Sequence, residues 1–148
     1  MQILIVDDDE YVRRLLSQHL TSEGHTVSTA EGSKEALLIN QSIIDVCIID
    51  ISCGLPPENR HGLEFARYLH YLAKQEGRRL PILITYHRDM AKTVGNLGEF
   101  AGRTLEKPFA DLEQVTEALG RACSLLPRIN PWAMVSATQT EGIPTYAG

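Results

Sequence analysis

Three stretches of the chain are apolar throughout and stop at a polar side chain. Ile3-Leu4-Ile5-Val6 runs into Asp7-Asp8-Asp9, Val46-Cys47-Ile48-Ile49 into Asp50, and Ile82-Leu83-Ile84 into Thr85. A shorter run at Thr104-Leu105 leads to Lys107-Pro108. Continuous apolar runs of this length read as strands buried on both faces of a parallel sheet. The spacing predicts strands over 2–6, 45–50, 80–85 and 103–106, with Pro81 tolerated at a strand entrance. Residues 25–30 alternate weakly and predict an edge strand.

Between these runs the period changes to that of a helix. Val12, Leu15, Leu16, His19 and Leu20 form one stripe, and Gly24 stops it. Residues 33–40, with Ala36, Leu37 and Leu38, predict a short helix. Leu63, Ala66, Leu69, His70 and Ala73 predict a longer one over about 62–76. Met90, Val94 and Leu97 are in helical register, but Gly95 and Gly98 weaken the segment 89–98, so a short or mobile helix is expected there. Asp111 with Gln114 makes a capping box for a last helix carrying Leu112, Val115, Leu119 and Ala122. Five strands alternating with five helices predict a doubly wound α/β domain with right-handed crossovers.

In such a sheet the polar residues after each strand meet at the carboxyl edge, where open α/β folds place their chemistry. Carboxylates this close repel by about 4 kcal/mol per pair at ~4 Å and an effective dielectric near 20, so a cation or proton must offset them. The donors are all oxygens, which favours a hard ion, and Mg²⁺ is the natural choice. Asp7 and Asp8 read as its ligands and Asp9 as a helix N-cap. Asp50 is the candidate nucleophile toward a phosphoryl group, Lys107 a second cation, and Thr85 a hydroxyl donor.

Composition narrows the class. The 148 residues suit one domain over 1–126, with a tail over 127–148 rich in Pro, Gly, Ser and Thr. That tail reads as flexible, or as a partner-binding extension anchored by Trp132 and Met134. A net charge of -5 argues against direct nucleic-acid binding. Three cysteines without a metal spacing point to a reducing compartment, with Cys47 and Cys123 as core residues and Cys53 as an ordinary loop residue. Neither a signal peptide nor a bilayer-spanning run is legible, so a cytoplasmic location is expected and no membrane partner.

Together, Ile3 to Asp9, Asp45 to Asp50, the Thr85 strand and Glu106-Lys107-Pro108-Phe109 resemble the receiver domain of two-component response regulators, from Met1 to about Leu126. The resemblance implies a flavodoxin-like sheet in the order 2-1-3-4-5 and a stand-alone switch like the chemotaxis regulators, not an enzyme. It also implies Mg²⁺ held by Asp7, Asp8, Asp50 and the Ser52 carbonyl, and Asp50 as acceptor of phosphate from a histidine kinase or phosphotransfer protein. Thr85 and Lys107 would contact the phosphoryl group, the Lys107-Pro108 bond would be cis, and the signal would pass to a partner protein.

The chain departs from the family's pattern in three places. The loop 53–61 is longer than usual, and either shields the site and shapes partner choice or is a neutral surface loop. Tyr86 stands where a small residue usually follows the switch hydroxyl, and Thr104 replaces the usual aromatic three residues before the lysine. Tyr86 is expected to cover part of the pocket, with simple packing over its strand as the alternative. Two rival functions stay open: a degenerate receiver that binds partners without phosphorylation, and a phosphatase of the haloacid dehalogenase type.

Overall fold

The structure is a computed structural model that describes residues 1–53, 61–95 and 97–124. The 127–148 tail and most of the unusual 53–61 loop lie outside the described residues. Five strands, β1 (Gln2–Val6), β2 (Thr26–Ala30), β3 (Val46–Asp50), β4 (Ile82–His87) and β5 (Thr104–Lys107), form one parallel sheet in the order β2-β1-β3-β4-β5. The helices are α1 (Glu10–Ser22), α2 (Ser33–Ala36), α3 (His61–Gln75), α4 (Ala91–Val94) and α5 (Glu113–Ser124).

Strand alternation divides the core into two layers. Ile3, Ile5, Val46, Ile48 and Leu83 face α1 and α5, where they meet Leu16, Leu20, Val115 and Leu119. Leu4, Val6, Cys47, Ile49, Ile82 and Ile84 face α3, where they meet Leu63, Ala66 and Leu69. Every one of these strand residues is at most 2% exposed, which explains why the runs are apolar without alternation.

The expected strand order, the helix after β1 and the long helix after residue 61 are all present. Two elements differ in extent. The helix expected over 33–40 is a single turn ending at Ala36, followed by a 3-10 turn at Gln41–Ile43. Leu37 and Leu38 point outward, and the Gln41 amide takes over by donating to the Ala36 and Ile39 carbonyls at 2.7 and 3.0 Å. β4 starts two residues later than expected and extends to His87. Pro81 has no N–H for the ladder, although its carbonyl accepts from Cys47 at 3.0 Å.

The segment after β4 is broken into single turns, a 3-10 turn at Arg88–Met90, then α4, then a second 3-10 turn at Gly98–Phe100. Before α5, Asp111 accepts from the Gln114 N–H at 3.1 Å. The Gln114 side chain reaches the Ala110 N–H at 3.0 Å, rather than that of Asp111.

Candidate functional site

Alternation also explains the site. Asp7, Asp50, Thr85 and Lys107 carry on the same parity as Ile5, Ile48, Leu83 and Leu105, one step past the core layer under α1 and α5. Register brings them side by side: Asp50 pairs with Thr85, and the Ile51 N–H donates to the Thr85 carbonyl at 2.9 Å. Among the described residues these four are the buried polar or charged side chains, each 2–3% exposed.

Lys107 Nζ donates to Asp7 Oδ2 at 2.9 Å and stands 3.5 Å from Asp50 Oδ1, an ion-pair distance rather than a hydrogen bond. Burial alone would lower the lysine's pKa, but Asp7 and Asp50 outweigh it and the net shift is upward. The Asp50 carboxyl is pushed up to about 6, chiefly by burial. Lys107 and the Ser52 N–H oppose that rise, while Asp7 and Asp8 add to it. Even so, Asp50 Oδ1 is buried and makes no hydrogen bond. An orphaned carboxylate oxygen is costly unless something else is meant to meet it.

One carboxylate oxygen from each of Asp7, Asp8 and Asp50 lies within 4.8 Å of the others. Asp8 is exposed, so the group opens to solvent on that side. Asp9 serves as the N-cap of α1, accepting from the Tyr11 and Val12 N–H groups at 2.9 and 3.4 Å. Its own N–H donates to Asp7 Oδ1 at 2.9 Å, which helps fix that carboxylate.

The Lys107-Pro108 peptide is cis. Tyr86 is partly buried on the opposite face of the sheet from Thr85, packed against the α3-side core like Met90 and Val94. Thr104 opens β5 on Tyr86's face, opposite Ile84. His61 and His87 are exposed.

Cys53 is a loop residue, as expected, and is also buried. It is 4% exposed, its thiol donates to the Glu31 carbonyl at 3.1 Å, and burial pushes its pKa up to about 12, which leaves it unreactive. Gly62 was legible only as a helix start. A Cβ there would run into the Asp50 carbonyl, so the first turn of α3 sits directly against the backbone of the acceptor strand. The signal for it, a glycine opening a helix pattern, is too common to read alone.

The sequence profile of the response regulator receiver domain matches residues 3–120. The chain belongs to that family. Response regulator MprA of Mycolicibacterium vanbaalenii is 36% identical over 133 residues, covering 88% of this chain and 52% of the relative. The chain thus spans about half the length of the curated relatives it matches.

Among solved structures, Vibrio cholerae CheY4 is 27% identical with a TM-score of 0.66, covering 82% of this chain and 97% of that one. The response regulator TrrA of Thermotoga maritima, solved in complex with Mg²⁺–BeF, is 25% identical with a TM-score of 0.62 over 82% and 97% of the two chains. Receiver domains are signalling switches. Among the described residues no helix is long and apolar enough to cross a membrane.

Proposed function

We propose that this receiver domain is a phosphorylation-dependent switch whose Asp50 accepts a phosphoryl group from the phosphohistidine of a partner sensor kinase or phosphotransfer protein. The observation that carries the reading is the buried, orphaned Oδ1 of Asp50 beside the Lys107 ammonium at 3.5 Å. In the transfer, an Asp50 oxygen attacks phosphorus in line as the N–P bond breaks, and the imidazole leaves with the electron pair. The product is an acyl phosphate, which keeps the donor's transfer potential. Lys107, 3.5 Å from Asp50, and the Thr85 hydroxyl would contact the phosphoryl oxygens, and Lys107 would offset their charge.

The donor set of Asp7, Asp8, Asp50 and the Ser52 carbonyl fits Mg²⁺, because it is all oxygen and Cys53 is held as a protonated thiol. When bound there, Mg²⁺ supplies positive charge to the phosphoryl oxygens. Phosphorylation adds about two negative charges and biases the domain between two conformations. The broken segment from Arg88 to Phe100, with β5 and α5, is the face that would change its affinity for a downstream protein. A cytoplasmic setting suits this role and the free cysteines, and the acidic chain is not expected to contact DNA itself.

Incubation with Mg²⁺ and acetyl phosphate should add one phosphoryl group by intact mass, and Asp50→Ala should abolish it. A wild-type protein that gains no mass would leave a degenerate, interaction-only receiver. Tyr86 and Thr104 lie on the face of the sheet opposite Thr85, so their influence on switching would pass through packing on the α3 side rather than by covering the pocket. Tyr86→Ala should shorten the half-life of the phosphorylated form severalfold, and an unchanged lifetime would remove that role.

A further inference from the structure

At the opposite end of the sheet from Asp50 the chain builds a second polar feature. The end of α3, the turn before β4 and the entrance to β5 enclose a cleft of about 350 Å³. Its walls carry His70, Lys74, Arg78, Arg79, Arg103 and a single acid, Glu99. Ala73 and Leu80, both 5% exposed, give it an apolar floor. In a chain of net charge -5 this concentration of cations needs a reason.

Several arginines elsewhere find carboxylates. Arg13 lies 3.7 Å from Glu31, Arg14 2.9 Å from Glu10, and Arg88 3.2 Å from Glu106. In the cleft the one acid is already engaged, since Glu99 accepts from Arg67 at 2.9 Å. Arg78 is committed to the rim, donating to the Gln41 and Ile44 carbonyls at 3.2 and 3.0 Å and lying 3.4 Å from Glu76. Arg79 and Arg103 form no ion pair with any described residue.

Arg103 is the telling case, because its Nε is buried and has no hydrogen-bond partner. A guanidinium cannot shed its proton, so burying an unpaired N–H here carries its full desolvation cost. The rest of the Arg103 side chain lines the cleft and is only partly buried, so its outer N–H groups are what an acceptor entering the cleft would meet. Two guanidinium forks over an apolar floor suit the tetrahedral oxygens of a phosphate group attached to a less polar body. The ring of His70 stands edge-on to Phe100, with centroids 6.3 Å apart. Its pKa is lowered chiefly by burial and further by the positive charges of Lys74 and Arg103, with Glu99 opposing.

We propose that this cleft is an anion site, separate from the phosphoacceptor, that takes a small phosphate-bearing ligand on Arg79 and Arg103. Nothing in that assignment depends on Asp50 being phosphorylated. Phe100, which closes the broken segment after α4, touches His70, so an occupant of the cleft would bear on the same segment that faces the downstream protein.

The test is calorimetric titration of the full chain without Mg²⁺, using inorganic phosphate, pyrophosphate and ADP in turn, with NMR of the His70 ring in parallel. Saturable binding of at least one probe is expected, together with a rise in the His70 pKa. Arg79→Gln and Arg103→Gln should each weaken that binding at least tenfold. Arg79 is exposed, so its variant tests the site without endangering the fold. Binding by inorganic phosphate alone would make the ligand a free anion, whereas a preference for ADP would make it a nucleotide. Absence of saturable heat, wild-type affinity in both variants, or an unmoved His70 would each overturn the proposal.

Discussion

The two ends of the sheet use charge in opposite ways. At the carboxyl end, Asp7, Asp50 and Lys107 are buried together with both signs present, and Lys107 lies within ion-pair distance of both carboxylates. At the amino end, Lys74, Arg78, Arg79 and Arg103 share one sign around a half-open cleft. Mixed buried charge gives a rigid, preorganised set that a phosphoryl group can enter. In that cleft Glu99 is engaged by Arg67, and Arg79 and Arg103 form no ion pair among the described residues. The closest backbone approach is also at the carboxyl end, where β3 is clamped under Gly62.

Breaking the clamp should have the largest effect. Gly62→Ala forces a methyl group into the Asp50 carbonyl, a backbone atom that cannot step aside. A loss of about 3 kcal/mol or more in unfolding free energy is expected, with acetyl-phosphate labelling falling alongside it. Urea unfolding that matches the wild type would show that α3 can shift at no cost.

The next test separates charge from shape. Asp50→Asn keeps the volume but removes the charge that burial has raised to about 6. In Mg²⁺-free buffer the variant should be more stable than the wild type by on the order of 2 kcal/mol near pH 7.5. The sign follows from linkage. The folded pKa lies above the unfolded value of 3.8, so the folded wild type is favoured below that value and loses the advantage as pH rises through about 6. The gap between the two proteins should therefore close toward pH 4, as read by thermal melts.

The smallest effect belongs to the amino end and has the opposite slope. His70 titrates below 6.5 in the folded state, owing to burial and then Lys74 and Arg103. Its contribution is complete above pH 6.5 and falls as acid protonates the unfolded chain first. His70→Gln should flatten the stability curve just below that pH. An unchanged slope would place the destabilising charge elsewhere.

Much of this was legible before any coordinates. Buried parallel strands must be apolar on both faces, so β1, β3 and β4 announce themselves, and the polar residue ending each one marks the carboxyl edge. Asp9 as the cap of α1 and the Asp111–Gln114 contact are local, set by residues within a turn. The helix at 33–40 was overread because Leu37 and Leu38 fit a helical period equally well when they face solvent. Cys53 is the loop residue expected, and its burial depends on Glu31, which lies far away in sequence.

Sequence by itself determined the alternation of strand and helix, the identity of the acids, hydroxyl and lysine, and the side of the sheet on which they gather, because all of these follow from periodicity and from each strand's last residue. Only the tertiary structure decided that Asp50 keeps an oxygen without a partner, that Gly62 touches its carbonyl, and that arginines from separate segments line one cleft. Those are facts about distances between residues far apart in the chain, and no local pattern encodes a distance that packing alone creates.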